Sequence, residues 1–369
     1  MIDRIHAPAP WPIPPLPVER VSAGEREAIR HLIDDLKRQL EKDYAAPSTT
    51  MRRDAHPKTH GLVDARVIID PECPPELRHG LFQSDRPREY PAEIRLSNGN
   101  PKVRHDLAGD VRGFAIKLFV ETGGERSLFG DWEHDFLLAT GDAFFGKDAI
   151  DFRDFPAAVA SPLRTLAYFL RRPRALFNFV KGSTTPASPL DATYFSQTPF
   201  RLGPHVVKYQ ARRRGVRPTD GDPRYLRPFW RRLIGLRVMV VELIWGPAGS
   251  RGIVGVDAMR DALVADLRRG DVDYELLVQR WPDLGTLPEW AIEDARRAWN
   301  LPWVKVATIV IPKVADASAR NQQAERRSFN PGRTLNAHQA LGSINRARTA
   351  IYREMSAFRM NENDRRGKS

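Results

Sequence analysis

An arginine and a tyrosine near the end of the chain have the spacing of two side chains on one helix face. Arg348 and Tyr352 are four residues apart, so on a helix the guanidinium lies beside the phenol oxygen. Free tyrosine titrates at about pH 10, and an adjacent permanent cation favours the charged form. The pair can therefore hold a phenolate, which is a hard anionic ligand for a metal ion. The alternative is an ordinary contact in which the arginine stem packs on the tyrosine ring.

Three polar motifs occur far upstream of this pair. They are Arg53-Asp-Ala-His56, Ile94-Arg95-Leu96-Ser97 and Asp110-Val-Arg112-Gly-Phe-Ala-Ile-Lys117. Histidine changes its charge near physiological pH, and His60 lies four residues after His56. Without further context, either histidine is an ordinary surface or turn residue. Each motif alone is a weak signal.

The elements that must position these motifs follow from the periodicity of the apolar residues. Short strand-like runs are predicted at 61–70, 90–97, 112–120, 134–139, 206–211, 236–245, 273–279 and 304–311. Helical segments are predicted at 25–40, 162–180, 259–269 and 344–359, and Pro173 interrupts the second of them. Residues 1–20 are proline-rich and predict an extended arm. Because strands and helices do not alternate regularly, the pattern predicts an α+β fold with an antiparallel sheet or barrel in the middle.

The motifs, taken together and in this order, resemble the haem catalase superfamily. There an Arg-x-x-His segment leads into the first barrel strand, and an Arg-Phe-Ser strand and an Asp-x-Arg-Gly-Phe-Ala-x-Lys strand follow. An Arg-x-x-x-Tyr helix then comes near the end of the core. All four elements occur between Arg53 and Arg359, and the segments at 196–203, 292–299 and 341–348 resemble a divergent branch of shorter catalase-like haem proteins.

The resemblance implies a fold and a division of the chain. The fold is α+β, with an antiparallel β-barrel core of catalase-like type, flanking helices and an N-terminal arm. Residues 1–45 would form the proline-rich arm and its helix, and residues 46–369 the haem-binding barrel with a C-terminal helical part. No flavodoxin-like C-terminal domain is expected.

The resemblance also implies a haem b pocket with two sides. His56 resembles the distal histidine, which takes the proton from a bound hydroperoxide and returns it to the departing oxygen. His60 does not have the family spacing. Ser97 resembles the serine that fixes the tautomer of this imidazole. Tyr352 resembles the proximal phenolate ligand of the iron, and Arg348 the cation that stabilises it.

Three further arginines match positions that bind the haem propionates in that family. They are Arg53, Arg95 and Arg359, the last of which lies seven residues after Tyr352. Burying two propionates requires cations with bidentate reach, which a guanidinium provides.

The sequence departs from the catalase pattern on the distal side. Catalases place an asparagine in a segment that aligns with 129–136, where residues 131–135 would take its place. Leu96 replaces a phenylalanine and Ala55 a valine, and both changes are expected to open the pocket to a bulkier hydroperoxide. We expect peroxidase or weak catalase chemistry on peroxide or on organic or lipid hydroperoxides. The alternative is a non-catalytic haem protein for storage, transfer or sensing.

Composition restricts the partners of the protein. The net charge of +12 over 369 residues predicts attraction to polyanions, but no nucleic-acid module motif appears, so no specific nucleic-acid partner is expected. Residues 164–181 combine aromatics with cations, which is typical either of an anionic membrane interface or of a solvated helix pair over the core. A membrane-associating protein is therefore a third hypothesis.

The remaining features concern compartment and assembly. A lone cysteine, Cys73, excludes intramolecular disulfides and multi-cysteine metal sites. The sequence shows neither a secretory signal nor eighteen consecutive apolar residues, so the cytoplasm is the expected compartment. The proline-rich arm and the helix after it indicate a homo-oligomer in which subunits exchange arms.

Overall fold

The computed structural model describes residues 13–46, 48–159, 161–215, 228–246 and 248–367. Residues 1–12 of the predicted arm lie outside this set. The strands are β1 Lys58–Ile69, β2 Glu89–Asn98, β3 Asp110–Phe119, β4 Glu133–Ala139, β5 Ser183–Thr184, β6 Tyr194–Phe195, β7 Phe200–Leu202, β8 His205–Arg213, β9 Val272–Arg280 and β10 Trp303–Ile311. The helices are α1 Glu25–Asp43, α2 Ala149–Phe152, α3 Phe155–Val159, α4 Pro162–Leu170, α5 Pro173–Gly182, α6 Pro228–Trp245, α7 Ala258–Arg269, α8 Glu289–Glu293, α9 Asn321–Arg326 and α10 Ser343–Arg365.

Eight strands close into an antiparallel barrel, as predicted. Each pairs with its neighbour in the order β1, β10, β9, β8, β6, β4, β3 and β2, and β2 returns to pair with β1. Side chains alternate between the two faces of a strand, so every second residue enters the barrel. Leu96 of β2 and Phe114 of β3 are two of these buried core residues.

One predicted strand is wrong. Residues 236–245 belong to α6, which begins at Pro228, a residue favoured in the first turn of a helix. The β-branched residues of this segment favour a strand locally. However, β8 pairs directly with β9, which leaves no free edge for another strand at this point of the closed barrel. Glu242 instead holds the helix to the barrel by accepting a hydrogen bond from Arg104 Nε at 2.6 Å.

The four predicted helical segments are confirmed, and Pro173 divides the segment at 162–180 into α4 and α5. Helix α1 packs on α10 through apolar side chains of both helices. At the start of α10, Arg346 forms buried ion pairs with Glu19, Glu25 and Glu293. Arg346 therefore links the start of α10 to α1 and to the described end of the arm. This link lies just ahead of the residues of α10 that belong to the candidate site. None of the described helices is both long enough and apolar enough to cross a bilayer.

Candidate functional site

One cavity, with about 700 Å³ of empty space when the solvent at its mouth is included, brings the upstream motifs and the C-terminal helix together. It lies between α10 and the face of β2, β3 and β4 that points away from the barrel core. The predicted site residues among its lining are Arg53, His56, Arg95, Ser97, Arg348, Tyr352 and Arg359. All seven predicted residues thus line one cavity.

The backbone holds His56 over the sheet in a strained conformation. Its φ is +58°, a region that residues with a side chain rarely adopt outside functional sites. His56 Nδ1 lies 3.0 Å from Ser97 Oγ. A Cβ at Gly113 on the adjacent strand would lie 2.6 Å from His56 Nδ1 and 2.7 Å from Ser97 Oγ. Only glycine leaves room for this histidine–serine contact.

His56 is a neutral imidazole at physiological pH. Burial lowers its pKa to about 3, and Arg95, Arg348 and Arg53 lower it in the same direction. If Nδ1 donates its proton to Ser97 Oγ, Nε2 keeps the free lone pair. This arrangement can accept a proton from a molecule in the cavity.

One face of α10 forms the opposite wall. Arg348, Tyr352, Met355, Ser356 and Arg359 all line the cavity, and their spacing follows the helical repeat. The guanidinium carbon of Arg348 lies 5.9 Å from the centroid of the Tyr352 ring, and its Nη1 donates weakly to Thr198 Oγ1 at 3.5 Å. The predicted shared face is therefore present, with the cation near the aromatic ring.

The edge of the cavity holds three arginines with unused donors, of which Arg95 and Arg359 are buried and Arg53 is partly buried. Arg53 donates to Ala324 O at 2.6 Å, and Arg95 to His56 O at 2.6 Å. Arg359 donates to the carbonyl oxygen of Glu325. Within the described part of the chain, Arg53 Nε, Arg95 Nε and Arg359 Nη2 are buried without a hydrogen-bond partner.

The charge at this edge is also unbalanced. Burial lowers the pKa of Arg53, Arg95 and Arg359, and the pKa of Arg53 is lowered further by the other two. The acids that act on them are Glu325 and Asp54. Burial raises the pKa of Asp54, which favours its neutral form. Buried charges require partners, so this edge fits a ligand that carries carboxylates.

These observations match the haem group that the resemblance implied. A tyrosine oxygen can bind iron from one wall, and a neutral histidine stands on the other wall. Two propionates would satisfy the unused arginine donors and offset the excess positive charge. The residues present therefore fit haem.

Two expectations about the distal wall are wrong. Residues 131–135 do not line the cavity. Asp135 is bound to Lys117 and Arg333, and His134 packs in the barrel against His338. The wall is formed further along β4 by Leu137, Leu138 and Ala139.

Leu96 is the second correction. Arg95 and Ser97 face the cavity, so alternation along the strand turns Leu96 to the opposite face, where it is fully buried in the barrel core. Leu96 therefore does not shape the pocket, whereas Ala55 does line it.

Sequence reasoning also left one choice open and missed some residues. His60 is buried outside the cavity, with Nε2 2.8 Å from Asn98 Oδ1, so His56 is the histidine of the site. Met355, Ser356 and Phe329 line the cavity but were not predicted. Helical spacing from Tyr352 points to Met355 and Ser356, but no sequence signal points to Phe329.

Comparison with solved structures finds catalases. A fungal catalase matches with a TM-score of 0.63 and 16% identity, over 89% of this chain and 63% of its own. A bacterial catalase matches with a TM-score of 0.63 and 18% identity, over 90% and 62%. Catalase A from Saccharomyces cerevisiae matches with a TM-score of 0.62 and 15% identity, over 89% and 66%.

This chain thus spans less than two thirds of the length of each of these proteins. No protein-family model and no curated protein sequence matches it. The chain has the catalase fold.

Proposed function

We propose that this protein binds haem b in the cavity and acts on hydroperoxides. The observation that carries the proposal is the set of three guanidiniums, each with a buried and unused donor, beside a wall that presents Tyr352. In a catalase fold, this arrangement supports a porphyrin with two carboxylates. Arg53, Arg95 and Arg359 would bind the propionates, and Tyr352 would bind the iron.

The chain supplies the proton chemistry of the proposed reaction. Haem, when bound, would supply the iron and the two electrons that break the peroxide bond, and a phenolic electron donor from solution would return those electrons. His56 Nε2 accepts the proton from the terminal oxygen of the hydroperoxide. It then donates that proton to the second oxygen, which leaves as water or as an alcohol. Ser97 holds the other ring nitrogen, so the base keeps its orientation through both transfers.

The wall beside His56 favours an organic substrate. Leu137 and Ala139 offer only apolar side chains, whereas the Leu138 side chain packs in the barrel core. The side chains of Leu137 and Ala139 therefore provide no hydrogen bond to orient a molecule as small as hydrogen peroxide. An alkyl group gains from contact with such a wall. We expect organic hydroperoxides to be turned over faster than hydrogen peroxide.

Absorption spectroscopy of the purified, haem-supplied protein tests haem binding. We expect a Soret band typical of tyrosinate-ligated ferric haem, and loss or a large shift of that band in Tyr352→Phe. Tyr44→Phe is the matched control because Tyr44 lies between α1 and α10, outside the cavity lining. A wild-type protein without a Soret band, or the same spectrum in Tyr352→Phe, would contradict the proposal.

A second candidate function is haem binding without turnover, for storage, transfer or sensing. The apolar wall beside His56 is the observation that favours it. Rapid mixing with cumene hydroperoxide separates the two functions. Alcohol formation that falls about 10²–10⁴-fold in His56→Ala, the usual range for loss of a general acid–base group, supports catalysis. Haem binding with no alcohol formed supports the second function.

A further inference from the structure

Helices α4 and α5 expose an unusual number of large apolar side chains. This outer face consists of Leu163, Leu166, Leu170, Leu176, Phe177 and Val180, of which Leu163 is 79% and Phe177 66% exposed. Their spacing along each helix places them on one side. A contiguous apolar surface of this kind marks a site of interaction with a partner or a membrane.

The opposite side of the same helices is already buried. Tyr168, Phe169 and Ala175 pack against Phe145 and Phe155 in an aromatic cluster. Each helix is therefore apolar on two sides, and the inner side accounts for its attachment to the protein. The outer face has no role in that packing, and a helix that is apolar all round is ordinarily covered.

The charge around the outer face identifies what covers it. Between Asp154 and Asp191 the sequence contains five Lys and Arg residues and no acid. Arg172 pairs with Asp151, and Lys181 with Asp142. The other three, Arg164, Arg171 and Arg174, are exposed and have no ion-pair partner among the described residues.

A second copy of the chain is a poor occupant of this face. A two-fold interface places the same patch of both subunits together, so the unpaired arginines of one copy would meet those of the other. Like charges at an interface oppose association. An anionic bilayer supplies both an apolar interior for the leucines and phenylalanine and negative headgroups for the arginines.

We infer that α4 and α5 dock the protein on anionic phospholipid membranes. The outer face would enter the boundary between headgroups and acyl chains, and the arginines would bind the headgroups. Helix α5 is also tied to the segment that follows the cavity wall, since Thr140 Oγ1 donates to Gly182 O at 2.6 Å and Asn178 Nδ2 to Phe144 O at 2.8 Å. The docked helices thus lie close to Ala139 of the cavity.

This position specifies a substrate class. The substrate assignment, unlike the docking, rests on the proposed function. If the cavity carries out the proposed haem chemistry, its substrates are hydroperoxides on the acyl chains of membrane lipids. An apolar wall at Leu137 and Ala139 suits such a chain.

Vesicle flotation tests the docking without any use of haem activity. We expect the wild-type protein to float with vesicles of phosphatidylcholine mixed with phosphatidylglycerol, and much less with phosphatidylcholine alone. The double variant Leu166→Ser/Phe177→Ser should lose binding at least tenfold. Each of Arg171→Ser and Arg174→Ser should lower it about fivefold and weaken its salt dependence.

The controls are substitutions of exposed residues elsewhere. Leu284→Ser/Val304→Ser removes two exposed apolar side chains outside α4 and α5 and should leave flotation unchanged. Binding that is absent, or that is indifferent to anionic lipid, would overturn the docking. So would self-association of the wild type that Leu166→Ser/Phe177→Ser abolishes.

A second assay addresses the substrate class. With haem-loaded protein and a phenolic electron donor, Leu166→Ser/Phe177→Ser should slow reduction of a phospholipid hydroperoxide in anionic vesicles at least fivefold but leave reduction of cumene hydroperoxide in solution unaffected. Equal rates on vesicles would overturn the assignment of lipid hydroperoxides. Activity on neither substrate, with flotation intact, would contradict the proposed function and leave the docking established.

Discussion

The two walls of the cavity are fixed by different kinds of structure. On the strand side, His56 has a left-handed backbone, a hydrogen-bonded partner in Ser97 and a glycine beneath it. On the helix side, Tyr352 and Arg359 occupy their positions because of helical spacing. The arginine edge joins the two walls, since Arg53 and Arg95 come from the strand side and Arg359 from α10, and buried donors of all three remain unused. The pair of His56 and Ser97 is complete without a ligand, whereas the arginine edge needs one. Substitutions on the strand side should therefore impair chemistry, and those at the arginine edge should impair retention of the haem.

The largest effect is expected from a side chain at Gly113. In Gly113→Ala the new Cβ would meet both His56 Nδ1 and Ser97 Oγ at less than 3 Å, so the imidazole must move. We predict a fall in hydroperoxide turnover of about 10²-fold or more, within the range of lost general acid–base catalysis. Overpacking should also lower the free energy of unfolding by about 1–3 kcal/mol.

Gly109 offers the matched control. It precedes β3, and a Cβ built there meets no atom within 4 Å. Gly109→Ala should leave both turnover and urea unfolding close to wild type. Full activity in Gly113→Ala would show that the position of His56 does not limit the reaction.

A substitution at the arginine edge should lower the affinity for haem and leave the free energy of unfolding almost unchanged. In Arg359→Met, the ligand-free protein loses a cation that lowers the pKa of Arg53, and this relief offsets the lost hydrogen bond to the Glu325 carbonyl. We predict a change in unfolding free energy below about 1 kcal/mol, but at least a tenfold loss of haem affinity, measured by transfer of haem to apomyoglobin.

Arg365→Met on the same helix is the control, because Arg365 is exposed and, within the described ranges, its ion pair is with Glu362. Its haem affinity should equal that of the wild type. If Arg359→Met retains haem equally well while the free protein unfolds much more easily, the arginine is structural, and the comparison between the two walls fails.

The same contrast explains which parts of the site could be read from the sequence. Helical spacing is local, so Arg348, Tyr352 and Arg359 could be assigned to one face, and alternation along β2 correctly pairs Arg95 with Ser97. That alternation also shows that Leu96 faces away from the cavity, which the motif comparison overlooked. Local rules suffice where the partner lies within one element.

The parts that could not be predicted depend on contacts between elements. The wall at Ala139 depends on the register in which β4 pairs with β3, where Ala139 lies opposite Gly113, and a single sequence does not give that register. Residues 236–245 have strand-forming side chains, but the closed barrel offers them no edge. The unused donors at the arginine edge become evident only when the three residues are seen together.

The smallest effect is predicted for pH, and it sharpens the account of the strand side. Burial and the cations Arg95, Arg348 and Arg53 lower the pKa of His56 from 6.5 to about 3. A base with that pKa stays neutral as the pH falls through 6.5, so turnover by the haem-loaded protein should change less than about twofold between about pH 7 and pH 5. Circular dichroism over the same range checks that the fold persists.

The sign of the accompanying stability change is fixed by the direction of the shift. The unfolded chain takes up the His56 proton near pH 6.5 and the folded chain only near pH 3. The contribution of the neutral, buried His56 to the free energy of unfolding is therefore fully present above about pH 6.5, and it decreases as the pH falls towards 3. His60 and His338 are shifted in the same direction, to about 4 and about 3, so His56→Gln should remove only part of the acid sensitivity. A turnover profile centred near pH 6.5 would instead mean that His56 is solvated. The strand side would then not hold His56 in a buried, neutral state before the ligand binds.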